Sequence, residues 1–248
     1  MTSHGSRAVK KPGRPRALVT GGAVRLGRAM ALALARAGMD VAIGYHRSAA
    51  AARQTVRDLE RQGARAVALQ ADLARPAAAR RLVERAAAAL GGLDVLVNSA
   101  ATFFGTPFAT TRAAEYDRLL DVNLRGVFFC CQAAARVMAV RGGHIVNVGD
   151  VATGLLPPGY IPYTVSKAGV AALTRSLAVA LRPRRIAVNC VAPGAVLKPA
   201  WLPAARWKAI TRRRAGTPGD VAAAVVFFAT CSPHITGQIL AVDGGETA

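Results

Sequence analysis

The sequence predicts a doubly wound α/β domain, a parallel sheet with helices on both faces, and three observations carry that prediction. Seven short apolar runs of strand length alternate with longer stretches of helical length. The runs are apolar on both faces, as strands covered on each side must be. A Gly-rich turn, Thr20-Gly21-Gly22-Ala23-Val24-Arg25-Leu26-Gly27, separates the first run from the first helical stretch. With 248 residues, 52% of them hydrophobic, the chain can bury the core of one such domain.

The elements follow in order. Residues 1–15 set Gly5, Pro12, Gly13 and Pro15 among basic residues and serines, and read as a disordered basic tail ahead of a single domain at 16–248. A strand at 17–19 leads through the glycine turn into an Ala-rich helix at 26–37. A second strand at 41–45 ends in His46-Arg47-Ser48 and gives way to a helix at 49–61. A third, at 66–69, ends at Asp72-Leu73 before a helix at 76–90. A fourth, at 95–97, ends at Asn98-Ser99-Ala100 and precedes a helical stretch at 111–139. A fifth, at 144–148, precedes a strongly periodic helix at 160–181. A sixth, at 187–191, ends near Pro193-Gly194. The stretch 195–215, with Pro199, Trp201, Pro203 and Trp207, has no clear strand and exceeds an ordinary connection, so it is expected to be a substrate loop. A helix at 218–230 and a strand at 239–242 complete the chain.

Composition excludes several classes. No apolar run approaches the 18 or so residues of a membrane span, and the N-terminus lacks the apolar stretch of a secretory signal, so a cytoplasmic protein is expected. Cys130, Cys131, Cys190 and Cys231 show no CxxC spacing, and His4, His46, His144 and His234 are widely separated, which argues against a disulfide framework or a metal site. The formal charge of +20 invites a nucleic-acid reading, but 28 arginines and 54 alanines together make about a third of the chain. Such a skew looks like compositional background. The clusters Arg80-Arg81, Arg182-Pro183-Arg184-Arg185 and Arg212-Arg213-Arg214 have no aromatic interleaving, so nucleic acid is not the expected partner.

The glycine turn, placed between strand and helix, suits a dinucleotide: backbone N–H groups can approach a phosphate and the helix N-terminus favours its charge. An acid at the end of the second strand would select NAD. Here stands Tyr45-His46-Arg47-Ser48, with no acid, and Arg25 projects from the turn. Two guanidinium groups and a hydroxyl form a clamp for the 2′-phosphate of NADPH.

Tyr163-Thr164-Val165-Ser166-Lys167 opens the periodic stretch at 160–181. Residues four apart share a helix face, so the Lys167 ammonium can approach the Tyr163 hydroxyl and stabilise its phenolate. Tyr163 is thereby the expected acid; Tyr160 lies three residues too early to share that relation with Lys167.

The set TGGAVRLG, Asp72-Leu73, Asn98-Ser99-Ala100, Asn123, YTVSK, Pro193-Gly194 and Val242-Asp243-Gly244-Gly245 resembles the short-chain dehydrogenase/reductase family across about residues 16–247. The resemblance implies a Rossmann-like fold, Tyr163 as acid, Lys167 holding the nicotinamide ribose, and Asn123 anchoring a proton-relay water. It also implies cofactor contacts at Gly21, Arg25, Leu26, Gly27, His46, Arg47, Ser48, Asp72, Leu73, Asn98, Ala100, Pro193 and Gly194. Homotetramers paired through the helices at 111–139 and 160–181 are implied as well.

Departures from the family pattern narrow the reading. Asp150 stands 13 residues before Tyr163, where the common pattern has a Ser, and Arg25 replaces a turn glycine. With Tyr45-His46-Arg47-Ser48-Ala49-Ala50 and Thr102-Phe103-Phe104-Gly105-Thr106-Pro107, these features are similar to the pteridine reductase branch, in which Phe103 matches the ring that sandwiches the pterin. Ser99 and Ala101 differ from that branch. A carboxylate accepts from the N–H groups of an aminated heterocycle and suits a simple ketone poorly. The expectation is therefore an NADPH-dependent reductase of a pterin or dihydrofolate-like small molecule, with hydride from the nicotinamide, a proton from Tyr163 assisted by Asp150 as a further catalytic residue, and Asp150 and Phe103 as substrate contacts beside Tyr163. The alternatives are an NADPH-dependent reductase of a 3-oxoacyl thioester or other ketone, and a non-catalytic basic dinucleotide-binding protein.

Overall fold

The computed structural model describes residues 13–151, 158–198, 202–211 and 215–247. Seven strands form one sheet: β1 (Arg16–Thr20), β2 (Asp40–Tyr45), β3 (Ala66–Gln70), β4 (Val95–Asn98), β5 (Gly143–Val148), β6 (Ile186–Pro193) and β7 (Ile239–Val242). Their order is β3-β2-β1-β4-β5-β6-β7, and every neighbouring pair is parallel. The order reverses between β1 and β4, where Thr20 sits opposite Asn98 at the carboxyl ends. In an open α/β sheet that reversal opens a crevice for a ligand.

Side chains alternate across each strand and feed two cores. Leu18, Leu96 and Ile145 point to one face, against α3 (Pro76–Leu90), α5 (Gly126–Val137) and α6 (Ile161–Leu181). Ala17, Val19, Val97 and Val146 point to the other, against α1 (Arg25–Arg36), α2 (Ala49–Arg61) and α8 (Pro218–Thr230). Full burial of one such Leu stabilises the fold by roughly 1.5–3 kcal/mol, so strands apolar on both faces need both helical layers.

Three details differ from the sequence expectation. The stretch at 111–139 is not one helix: α4 (Ala113–Leu120) passes through a π-helical segment, Asp121–Arg125, into α5. A π turn carries an extra residue and re-aims its side chains, a feature common at functional sites; Asn123 lies within it and is buried. The 195–215 stretch contains a short helix, α7 (Ala204–Ile210), and buries Leu202. Finally, Arg14 already belongs to the fold. Its guanidinium donates to Gly38 O and Gly63 O, and Pro15 O accepts from Asp40 N, at the amino end of the sheet. Residues 1–12 of the expected tail, and Arg212-Arg213-Arg214, lie outside the described residues. No helix among the described residues is long and apolar enough to cross a membrane.

Candidate active site

A cleft of about 830 Å3 runs across the carboxyl ends of the strands. At one end it is lined by the glycine turn. Gly21 has φ +66°, and a Cβ there would lie 2.8 Å from Ala100 Cα, so no larger residue fits. A Cβ on Gly27 would overlap Gly21 O, which makes this glycine necessary for α1 to start so close to the turn. Thr20 fixes the opposite wall: its hydroxyl accepts from the backbone N–H groups of Ser99 and Ala100 at 3.0 and 3.1 Å. The result is a backbone-lined cradle open to a ligand's phosphates.

Arg25 holds φ 51°, a left-handed conformation costly for a non-glycine residue. Its side chain lines the cleft with His46, Arg47 and Ser48, all exposed, and Gln70 Nε2 donates to His46 O at 2.9 Å to fix the end of β2. Neither Arg25 nor Arg47 pairs with a carboxylate among the described residues. This donor set and the glycine cradle fit a dinucleotide with an additional phosphate. Leu26, Asp72, Leu73, Pro193 and Gly194 line the same cleft. Gly194 packs against Asp243, whose carboxylate accepts from Gly245 N, Thr247 N and the Thr247 hydroxyl.

At the other end, the segment just after β5 delivers Asp150, the first turn of α6 delivers Tyr163 and its second turn delivers Lys167. Pro162 is tolerated in the first turn because no N–H is needed there. The Tyr163 hydroxyl donates to Asp150 Oδ2 at 2.7 Å. The Lys167 ammonium donates to Val148 O at 2.9 Å and lies 5.9 Å from the Tyr163 ring centroid. Both Tyr163 and Lys167 are buried.

The Lys167 ammonium is expected to ease ionisation of Tyr163, and in this geometry burial and Asp150 act the other way. Burial, then the charge of Asp150 and the hydrogen bond to it, push the Tyr163 phenol well above its ordinary value. Burial also lowers the Lys167 ammonium, although the charge of Asp150 opposes the shift. A phenol facing a carboxylate is poorly suited to ionise and well suited to keep its proton until a substrate accepts it.

The cleft gathers every predicted contact except two. Asn98 Nδ2 donates to Asn147 Oδ1 at 2.9 Å and to Cys131 Sγ, so its side chain faces the core rather than the ligand. Asn123 faces the loop after β4: its amide accepts from Thr102 N at 2.8 Å, donates to Thr102 O at 2.9 Å, and reaches the Ser166 hydroxyl. Asn123 thus pins Thr102 next to Phe103. Phe103 meets Tyr163 edge-on at 4.7 Å and stacks flat on Tyr160 at 4.9 Å. Tyr160, set aside as an acid by spacing, is therefore part of the aromatic wall. Arg118, Val122 and Trp207 also line the cleft; for Arg118 and Val122 the i,i+4 spacing is a signal, but one shared by many helix faces. Among the described residues no cluster of His, Cys, Asp or Glu could hold a metal ion.

A parallel sheet with a glycine cradle at its switch point and a Tyr-Lys pair in the adjoining cleft defines a nucleotide-dependent oxidoreductase. Residues 22–247 match the family model described as enoyl-(acyl carrier protein) reductase. The chain belongs to the short-chain dehydrogenase/reductase family. It is 34% identical over 243 residues to a 3-oxoacyl-[acyl-carrier-protein] reductase of Synechocystis, covering 92% of this chain and 95% of that one. A short-chain dehydrogenase from Burkholderia cenocepacia in complex with NADP superposes with a TM-score of 0.88 at 41% identity, covering 94% and 98% of the two chains. A blue fluorescent protein from a metagenomic library in complex with NADPH gives 0.88 at 36% identity, covering 95% and 99%.

Proposed function

We propose that the chain is an NADPH-dependent reductase in which Tyr163 delivers the proton. The observation that carries this reading is a cleft holding the Tyr163 to Asp150 hydrogen bond at one end and, at the other, Arg25 and Arg47, which have no carboxylate partner among the described residues. Gly21, Gly27 and the N-terminus of α1 would hold the diphosphate, Arg25, Arg47 and Ser48 the 2′-phosphate, and Lys167 the nicotinamide ribose. When bound, the reduced cofactor supplies a hydride. Tyr163 then protonates the atom that gains charge, and Lys167, held by Val148 O, stays close enough to stabilise the phenolate left behind.

The relatives favour a carbonyl substrate, and a 3-oxoacyl thioester is the first reading. A second reading rests on the carboxylate at position 150. An ionised Asp150 repels a carbonyl oxygen and accepts from N–H groups, which supports a pterin or dihydrofolate-like heterocycle packed on Phe103. Tyr116, Phe128 and Val165, half-exposed on α4, α5 and α6, support a homotetramer.

The test is NADPH consumption with acetoacetyl-CoA, dihydrobiopterin and dihydrofolate at equal concentration. Turnover of any of them supports an NADPH-dependent reductase, and their ranking selects the substrate class. Oxidation of none, or faster consumption of NADH, would overturn the proposal.

A further inference from the structure

We propose that Arg118 is a specificity-determining residue that recognises a carboxylate or phosphate on the substrate, remote from the bond that is reduced. The proposal deepens the functional reading above and rests on it.

Arg118 lies on the same helix face as Val122, four residues on, and both line the cleft. The next residue, Asn123, clamps Thr102, so Arg118 stands beside the loop that carries Phe103 and Phe104. Its guanidinium lies 5.9 Å from the Phe104 ring centroid. Of the acids within one turn of it, Glu115 pairs with Arg112 and Asp121 with Arg125, both at 2.8 Å, and Asp117, adjacent in sequence, projects from a different side of the helix. Among the described residues Arg118 has no carboxylate partner. A guanidinium resting on an aromatic face in a ligand cleft, with no acid to satisfy it, is poised to form a bidentate bond with an incoming anion.

Its position separates it from the cofactor clamp. Arg25 and Arg47 flank the glycine turn and the end of β2, whereas Arg118 adjoins the loop whose Phe103 touches Tyr163. The acids lining the whole cleft are Asp72 and Asp150; Asp72 lies 3.7 Å from Arg75, and Asp150 holds the Tyr163 hydroxyl. The remaining charge of the lining is positive, which draws anions inward.

Two substrate pairs test the proposal in either substrate class, because each pairs an anionic molecule with a smaller neutral one. Acetoacetyl-CoA is compared with acetoacetyl-N-acetylcysteamine, and dihydrofolate with dihydrobiopterin. For Arg118→Gln, KM for the anionic member of the active pair should rise about tenfold or more, the loss of one charge-assisted bond. The kcat and the KM of the neutral member should stay unchanged, and Arg118→Lys should restore part of the loss. Equal effects on both members would overturn the proposal, since Arg118 would then only support the Phe104 loop. An unchanged KM for the anionic member would overturn it too. Wild-type protein that turns over neither pair would instead remove the functional reading on which the assignment rests.

Discussion

The Tyr163 hydroxyl donates to Asp150 Oδ2 at 2.7 Å, so the proposed acid of this site is tied to a carboxylate before any substrate arrives. A hydroxyl at position 150 could both donate and accept, whereas an ionised carboxylate only accepts. Asp150→Ser should therefore raise kcat/KM for acetoacetyl-CoA relative to dihydrobiopterin by about tenfold or more, the worth of a bond to a charged group. Parallel steady-state assays measure the ratio. An unchanged ratio would mean that Asp150 does not face the reacting atom.

The same contact sets the ionisation of the free protein. Burial first, then the charge of Asp150 and its hydrogen bond, hold the Tyr163 phenol far above its ordinary value. The folded state thus favours the protonated form, and this contribution to stability is lost only as pH rises past the value of an unfolded tyrosine. Ultraviolet titration of tyrosinate should give superimposable curves for the wild-type protein and Tyr163→Phe up to about pH 11, past the ordinary tyrosine pKa of about 10. A step missing from the variant near pH 10 would show that the phenol ionises freely.

Arg25 pays for its place in the turn with φ 51°. Glycine adopts that conformation without strain, so Arg25→Gly should keep or raise thermal stability, by up to about 1 kcal/mol, while weakening NADPH. Arg47→Ala should weaken NADPH by about tenfold or more and leave NADH nearly unchanged, because only one of them carries the 2′-phosphate. Cofactor fluorescence titrations and thermal melts read both quantities. Equal losses for NADPH and NADH would place these side chains elsewhere on the cofactor.

The strands were legible because a sheet covered on both faces writes its apolar runs continuously into the sequence, as in 41–45 and 187–191. The glycine turn and the Tyr-Lys spacing were legible for a similar reason, since local geometry fixes both. Long-range side-chain direction was not. Nothing local turns Asn98 toward Asn147 and away from the cleft, or makes Asn123 a clamp on Thr102. The π turn at 121–125 contains neither Pro nor Gly, so no helix breaker in the sequence marks the interruption of 111–139. Arg118 was hidden by number: one cleft arginine among 28 is visible only when the fold shows which of them lack a carboxylate partner.

The central claim is that Tyr163 delivers the proton in an NADPH-dependent reduction. It is tested most directly by NADPH oxidation in Tyr163→Phe, with cofactor binding followed in the same preparation by fluorescence. The variant should bind NADPH as the wild-type protein does and lose turnover by about a hundredfold or more, the usual contribution of a positioned acid. A Phe variant that binds NADPH and reduces substrate at the wild-type rate would contradict the claim.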